Sequence, residues 1–474
     1  MATVLSPDIC VIGAGSAGLS VAAGAAAFGV PVVLIERGRM GGECLNIGCV
    51  PSKALIAAAK HAHAVRKAAE FGVNAGEPVI DFEKVQAHVR SVIDAIAPND
   101  SAERFTAMGV TVIRADARFT DPDTVTAGGL TIRARRFVIA TGSSTVIPPI
   151  PGLADIDYLT NETLFDLKSL PQHLLIMGAG PVGLEMAQAH RRLGAKVTVV
   201  DAGRALAKED PELSGIVLDQ LRGEGIAVFE HSRVLSVEKT ATGQRLHCET
   251  QAGPVSIDGS ALLVATGKKG NTSGLGLEAA GIAVTETGIA VDGSLRTQNR
   301  RVYAIGDAAG GLKFTHAANY HASLVLREIL FRLPARENQD IVPRATFTDP
   351  EIASVGLGEE EARARYGKAE VLRWPYADND RAQAENSTAG LIKIITGRRG
   401  KILGVGIAGS GAAEMITMWS VIISNGQGLS HVRNAIVPYP TMTEIGKRAV
   451  IAYYTPLTRT PFVRAIIRLL RRFG

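Results

Sequence analysis

Residues 8–36, DICVIGAGSAGLSVAAGAAAFGVPVVLIE, and residues 173–201, HLLIMGAGPVGLEMAQAHRRLGAKVTVVD, are near copies of one another. Each reads as a short apolar strand, a Gly-x-Gly-x-x-Gly turn, an Ala-rich helix, a turn at a glycine, and a second apolar strand ending in an acid. In both, the acid follows the first glycine by 23 residues. One such glycine turn is weak evidence; strand, turn, helix, strand and acid together form the dinucleotide-binding fingerprint, and here it occurs twice. Gly13 and Gly178 allow the tight turn, Gly15 and Gly180 let the backbone approach a pyrophosphate at the helix N-terminus, and Gly18 and Gly183 let helix pack on strand. Glu36 and Asp201 stand where a ribose would donate hydrogen bonds.

The 474 residues include 51 Lys and Arg against 46 Asp and Glu, are 46% hydrophobic and hold four cysteines. This length suits two to four domains with buried cores and excludes whole-chain disorder. Four cysteines in such a chain cannot staple a secreted scaffold, so a reducing, cytoplasmic setting is expected. Residues 9–34 are apolar enough to resemble a membrane span, but Gly13, Gly15, Gly18, Gly24 and Gly29 punctuate them, and no basic segment or small-residue cleavage site accompanies them. The formal charge of +5 sits in residues 451–474, which carry Arg459, Arg464, Arg468, Arg471 and Arg472 and no acid. Residues 1–450 are neutral, and no nucleic-acid partner is expected.

Between and after the two fingerprints lie β-rich stretches. Residues 111–119 and 137–140 alternate or run apolar, the second ending in Ala140-Thr141-Gly142; residues 261–265 end in another such turn, Ala265-Thr266-Gly267. After about residue 345 the pattern changes to short strands at 392–395 and 402–407 and a helix around 412–425, a separate α/β domain without a nucleotide signature.

The most reactive stretch is Gly41-Gly42-Glu43-Cys44-Leu45-Asn46-Ile47-Gly48-Cys49-Val50-Pro51-Ser52-Lys53. In an ideal helix, residues five apart lie about 8–9 Å apart at Cα, beyond the roughly 7 Å that a disulfide spans. A bond between Cys44 and Cys49 therefore needs a distorted turn, which Gly48 permits. A strained bridge at a helix start is the labile kind, and the helix N-terminus favours thiolate at neutral pH. Half of a zinc site and two reduced, buried thiols are the alternatives. Cys10 and Cys248 read as core residues in strands and supply no second ligand pair, so no metal site is expected.

The run from Cys44 to Lys53 resembles the signature of the class I pyridine nucleotide–disulfide oxidoreductases, the family of dihydrolipoamide dehydrogenase, glutathione reductase and mercuric reductase. Gly13–Gly18, Ala140–Gly142, Gly178–Glu185, Ala265–Gly267, Tyr303-Ala304-Ile305-Gly306-Asp307 and Pro440-Thr441-Met442-Thr443-Glu444 follow in the family's order across essentially the whole chain. The resemblance implies an α/β enzyme with two Rossmann-type dinucleotide-binding domains, for FAD and NAD(P), plus a C-terminal α/β dimerisation domain. The corresponding division is 1–150 for FAD, 151–275 for NAD(P), 276–344 for a central domain completing the FAD site, 345–460 for the interface of a homodimer, and 461–474 for a basic tail.

By the same resemblance, FAD rests on Gly13, Gly15, Gly18, Glu36, Thr141, Gly142, Asp307 and His316, and NAD(P)H on Gly178, Gly180, Gly183, Asp201 and Gly267. Asp201 would repel a 2′-phosphate, which favours NADH, while nearby Arg204 and Lys208 keep NADPH open. Cys49 takes the role of the flavin-side thiol, Cys44 that of the interchange thiol, and Lys53 and Glu185 that of an ion pair beside flavin and nicotinamide. Asp307 corresponds to the acid that holds the ribityl chain. His316 follows on the next helix, where a satisfied core histidine is the alternative.

One position departs from the family. The acid–base histidine that precedes Pro-Thr-x-x-Glu is Tyr439 here, while the matching carboxylate, Glu444, is kept. A histidine near pKa 6.5 exchanges protons at neutral pH; a tyrosine near 10 lies about three units away. Dithiol–disulfide exchange needs that relay, and reduction of a soft metal held by thiolates needs it much less. Tyr439 therefore points away from dihydrolipoamide dehydrogenase and glutathione reductase and toward the mercuric reductase branch, where a tyrosine at this place is familiar. The stretches Phe314-Thr315-His316-Ala317, Leu330-Phe331-Arg332-Leu333-Pro334-Ala335 and Phe347-Thr348-Asp349-Pro350-Glu351 lean the same way.

Two features of mercuric reductases have no counterpart: residues 249–474 contain no cysteine to deliver the metal, and the sequence opens directly on the first fingerprint without a metal-capture domain. The expected activity is electron transfer from NADH through FAD and the Cys44–Cys49 pair to a soft-metal or disulfide-like acceptor, a small molecule or metal–thiolate. A dihydrolipoamide dehydrogenase with altered acid–base chemistry is one alternative, and a thiol-independent NADH:quinone or diaphorase-type oxidoreductase another. The tail adds a binding role: Phe462, Val463, Ile466, Ile467, Leu469, Leu470 and Phe473 share about 160° of a helical wheel and the arginines take the opposite arc. So short a helix needs a surface to lie on, either the dimer's own body near the active-site mouth or an anionic membrane or membrane partner.

Overall fold

The computed structural model describes residues 3–473; Met1, Ala2 and Gly474, the last residue of the tail, lie outside the described residues. The chain divides into two compact units. The first runs to Arg204 and resumes over Ile226–Asn338, and the second takes Ala205–Gly225 and the chain from Gln339 onward.

In the first unit the leading fingerprint forms β1 (Ile9–Ile12), α1 (Ser16–Ala27) and β2 (Val32–Glu36). Helices α2 (Gly42–Asn46) and α3 (Cys49–Lys67) follow, then β3 (Thr111–Arg114) and β4 (Arg136–Ile139). The second fingerprint forms β5 (His173–Met177), α4 (Pro181–Arg192) and β6 (Lys196–Val200), joined by β7 (Ala227–Phe229) and β8 (Ala261–Val264). Strand β9 (Val302–Ala304) and helix α5 (Thr315–Phe331) come last.

The first sheet has the order β9-β4-β1-β2-β3 and the second β7-β6-β5-β8, with every pair parallel. The central strands of both sheets are mostly apolar, as parallel strands buried on both faces require; all four residues of β1 are buried, and so are residues 174–177 of β5. In each sheet the strand that carries the glycine turn is where the strand order changes direction. That is the crevice in which open α/β sheets bind ligands. Strand β9, from the segment read in sequence as a central domain, lies beside β4 in the first sheet.

The second unit is built on an antiparallel sheet of β10 (Arg344–Thr346), β11 (Glu351–Gly356), β12 (Glu370–Pro375), β13 (Leu391–Thr396) and β14 (Ile402–Gly409), in the order β10-β11-β14-β13-β12. Helix α6 (Ala412–Ser424), α7 (Glu444–Tyr454) and α8 (Pro461–Leu470) complete it. Its core gathers Ile392, Ile394 and Ile407 from the sheet with Trp419 of α6 and Ile445 and Val450 of α7. No helix among the described residues is long and apolar enough to cross a membrane.

Residues 205–225, which the sequence reading placed with the second nucleotide domain, belong to this second unit. The cause is local: Lys393 on β13, nearly buried, pairs with Asp210 at 2.7 Å and Glu212 at 3.0 Å, and Gly406 on β14 gives the side chain of Leu213 room to pack. Both tryptophans, Trp374 and Trp419, lie in this unit and report its unfolding. Lys393→Ala leaves the acids facing each other without their buried cation, and urea unfolding followed by tryptophan fluorescence is expected to show a loss of about 3–5 kcal/mol. A loss under about 1 kcal/mol would mean that the cluster does not anchor the segment.

Candidate active site

Helix α2 ends at Asn46 and α3 begins at Cys49, so the two cysteines sit on consecutive helices with a break between them. Ile47 and Gly48 make the break, and a Cβ on Gly48 would lie 3.0 Å from the Glu43 carbonyl oxygen, tight for anything but glycine. The distorted turn that the five-residue spacing demands is thus a change of helix. Both cysteines are free thiols in this structure, half-buried at Cys44 and exposed at Cys49, and they are hydrogen-bonded to each other. Cys10 and Cys248 are buried in strands.

The pair shares a proton unequally. The hydrogen bond from Cys44 brings the Cys49 thiol down to about 6, helped by Thr315 and the charge of Lys53 and opposed by burial and Glu185. Thr315 Oγ1, at the start of α5, lies 3.4 Å from Cys49 Sγ. The same cysteine–cysteine hydrogen bond, together with burial, pushes the Cys44 thiol up. The two shifts run in opposite directions, so the pair favours thiolate on Cys49 and thiol on Cys44. One turn further along α3, Lys53 Nζ donates to Glu185 Oε2 at 2.8 Å. Glu185, near the start of α4, is only 6% exposed, so the ion pair ties the thiol-bearing helix to the helix of the second fingerprint.

The two glycine cradles match in detail. Gly13 and Gly178 hold φ of 106° and 109°, and a Cβ at either would strike the carbonyl oxygen of Ala140 or Ala265. Each Ala-Thr-Gly turn therefore closes over a fingerprint. A Cβ on Gly18 or Gly183 would run into the Gly13 or Gly178 carbonyl, which is the close helix–strand packing expected of them. Helices α1 and α4 start after Gly15 and Gly180 with no side-chain cap and no acid in the first turn, leaving N–H groups turned outward. No atom lies within 4 Å of where a Cβ on Gly180, Gly142 or Gly267 would stand. These open, uncapped N-termini fit the pyrophosphate of a dinucleotide.

Glu36 and Asp201 do something that the sequence reading missed. Glu36 accepts from the N–H groups of Ala14 and Gly38, both at 2.6 Å; Asp201 accepts from Ala179 at 2.6 Å and Gly203 at 2.7 Å. Each carboxylate staples its glycine turn to the loop after its own strand, and its second lone pairs remain for a ribose hydroxyl. In the first cradle Thr141 Oγ1 donates to the Asn271 carbonyl at 2.7 Å, Asn271 Nδ2 returns a bond to the Thr141 carbonyl at 3.0 Å, and Ser143 Oγ donates to Asp307 at 2.5 Å.

His316 is exposed and stacks on Phe314, so it is not a core histidine. That role falls to His321, which is buried between Glu337, 2.9 Å from its Nε2, and the Gly306 N–H, which donates to its Nδ1 at 3.1 Å. His321 thereby fixes the turn that presents Asp307; its place between Ala318 and Val325 on the apolar face of α5 was the available signal. Lys268 was also missed. It pairs with Glu43, beside Cys44, while Asn161 donates to the same carboxylate at 3.2 Å, and burial brings the Lys268 ammonium down to about 8. The signal was an opposite charge next to each of two motifs, Cys44 and Gly267.

Tyr439 and Glu444 lie in the second unit. Tyr439 is exposed and donates its hydroxyl to Asp380 Oδ2 at 2.9 Å. That hydrogen bond, the Asp380 charge and the nearby Glu444 hold the phenol above its usual range. The group stays a protonated phenol at neutral pH, a reluctant acid with no free base form to accept a proton.

Residues 7–322 match the family described as pyridine nucleotide-disulphide oxidoreductase, and residues 342–450 match its dimerisation domain. A mercuric reductase of Streptomyces lividans is 35% identical over 461 residues, covering 95% of this chain and 97% of the relative. A dihydrolipoyl dehydrogenase of Geobacillus stearothermophilus is 31% identical over 462 residues, covering 96% and 97%. Among solved structures, the Cu(II) complex of the HOCl-induced flavoprotein disulfide reductase RclA from Escherichia coli aligns with a TM-score of 0.84 at 28% identity, over 94% of this chain and 99% of that one. Joined to the paired cradles and the thiol pair, these matches show that the chain belongs to the pyridine nucleotide-disulphide oxidoreductase family, FAD-dependent enzymes that take electrons from NAD(P)H.

Proposed function

We propose that this protein is an NADH-dependent flavoenzyme, a cytoplasmic homodimer that passes electron pairs through Cys44 and Cys49 to a soft-metal or disulfide-like acceptor. The observation that carries the reading is the placement of Cys44 and Cys49 on either side of a helix break, with the Lys53–Glu185 ion pair one turn beyond Cys49. Gly13, Gly15, Gly18, Glu36, Thr141, Gly142 and Asp307 would hold FAD, with His316 at the edge of that site, and Gly178, Gly180, Gly183, Asp201 and Gly267 would hold NADH. When bound, FAD supplies the conversion of a hydride into an electron pair for the cysteine disulfide.

Cleavage of that disulfide puts two electrons on two sulfurs and takes up one proton. The proton stays on Cys44, and Lys53, held by Glu185, stabilises the charge on Cys49. Hg(II) displaces the Cys44 proton to solvent as it binds and takes both electrons as the disulfide re-forms, whereas Cu(II) takes one electron per ion, so two ions are reduced to Cu(I) for each disulfide formed. A disulfide acceptor needs protons delivered to its leaving thiolates as well. Tyr439, held above its usual range by Asp380, stays protonated near neutral pH and gives its proton to a thiolate reluctantly, so the metal route suits this site better. The mercuric reductase relative and the Cu(II) complex of RclA support an acceptor of that class. A second reading, dihydrolipoamide oxidation, is supported by the dihydrolipoyl dehydrogenase relative.

In the dithiol enzyme, the ultraviolet absorbance of thiolate is expected to titrate with a midpoint near 6, thiolate being present above it and lost below. Cys44→Ala removes the largest cause and is expected to move the midpoint up toward the ordinary thiol value of about 8.5; an unmoved midpoint would show that Cys44 does not supply the hydrogen bond. Cys44→Ser is expected to cut reduction of Hg(II) or Cu(II) about a hundredfold or more while NADH still reduces the enzyme. Full activity in that variant would exclude the thiol route in favour of a thiol-independent quinone or diaphorase reaction. Tyr439→His is expected to raise lipoamide turnover by about a hundredfold; wild-type turnover already equal to that of the variant would support the second reading.

A further inference from the structure

The C-terminal helix α8 buries none of its residues. Phe462 is 74% exposed, Leu470 61% and, just beyond the helix, Phe473 80%, with Ile466, Ile467 and Leu469 exposed between them. None of Arg459, Arg464, Arg468, Arg471 and Arg472 has an ion-pair partner among the described residues. On a helical wheel continued past Leu470, where Arg471 caps the helix and Arg472 and Phe473 follow in a turn, the apolar side chains fill about 160° and Arg471 and Arg472 stand on the two shoulders of that arc with Arg464 and Arg468 between them. Arg459 precedes the helix and, with Ala452, Thr455 and Pro456, lines a surface hollow of about 360 Å³.

We propose that α8 lies in the plane of an anionic lipid surface and attaches the enzyme to it peripherally. Arginines on both shoulders are what such a helix needs, because their stems follow the apolar face inward while the guanidinium groups stay among lipid phosphates. A helix of ten residues is about 15 Å long and cannot span a bilayer, so it lies flat. Charge separates this occupant from a second copy of the tail. Two such tails packed about a two-fold axis would bring five arginines against five with no acid in either segment, whereas an anionic leaflet attracts all of them. The body is no better partner on charge, since residues 1–450 carry as many acids as bases.

The test is co-sedimentation of the full-length FAD-loaded enzyme with vesicles of phosphatidylglycerol and, separately, of phosphatidylcholine. Binding to phosphatidylglycerol is expected to exceed that to phosphatidylcholine by about tenfold or more and to fall steeply between about 0.1 M and 1 M salt. Replacing Arg464, Arg468, Arg471 and Arg472 by Gln, and in a second variant Phe462→Ser with Leu470→Ser, is expected to lower binding by about tenfold or more, with reduction of the acceptor unchanged. Equal sedimentation of wild type and arginine variant, or none by either, overturns the proposal. So does a change of oligomeric state in the Phe462/Leu470 variant by sedimentation velocity, which would assign the face to a second copy.

Discussion

The ion pair between Lys53 and Glu185 is the constraint on which the redox half of the molecule turns. It joins α3, whose first residue is Cys49, to α4, which opens from the second glycine turn, so the thiols and the second cradle keep a fixed spacing. Because Glu185 is nearly buried, removing either partner would strand a charge, and the pair is held by that penalty as much as by its attraction. The same lysine lies within electrostatic reach of Cys49 and favours its thiolate, while Glu185 opposes it. Structure and reactivity therefore share one contact.

Around that contact the chemistry is an unequal division of protons. Cys44 gives its hydrogen bond to Cys49 and becomes the harder thiol to ionise, which suits a group that must stay protonated until an acceptor arrives. The second unit continues the theme. Asp380, whose carboxylate accepts from the Tyr439 hydroxyl, and Glu444 hold that phenol above its usual range, so it stays protonated at neutral pH. An acceptor that supplies its own electrophile, rather than one that waits for a proton, matches both features.

The repeated fingerprint and the cysteine run were legible because each demands particular residues at fixed spacing: a carbonyl oxygen from Ala-Thr-Gly fills the space where a Cβ on Gly13 or Gly178 would stand. What the sequence concealed are contacts between residues far apart along the chain. Glu36 and Asp201 were assigned to a ligand, yet each first satisfies two backbone N–H groups of its own turn. His316 and His321 sit on one helix, and only the packing against Glu337 and Gly306 decides which is the buried one. The allegiance of residues 205–225 depends on Lys393, more than 160 residues later, burying itself against acids of that segment. The tail forms a helix whose apolar residues are uncovered within the chain, a matter that no spacing along the sequence decides.

The central claim is that electrons leave this enzyme through Cys44 and Cys49. It is tested most directly by counting their thiols, by alkylation and mass spectrometry, after anaerobic reduction with NADH and again after one equivalent of Hg(II) or two of Cu(II). The account predicts that the peptide carrying both cysteines takes up two alkyl groups after NADH and none once the acceptor has been reduced and removed. If the acceptor is reduced while both thiols stay alkylatable throughout, or while neither ever becomes so, the electrons take another path.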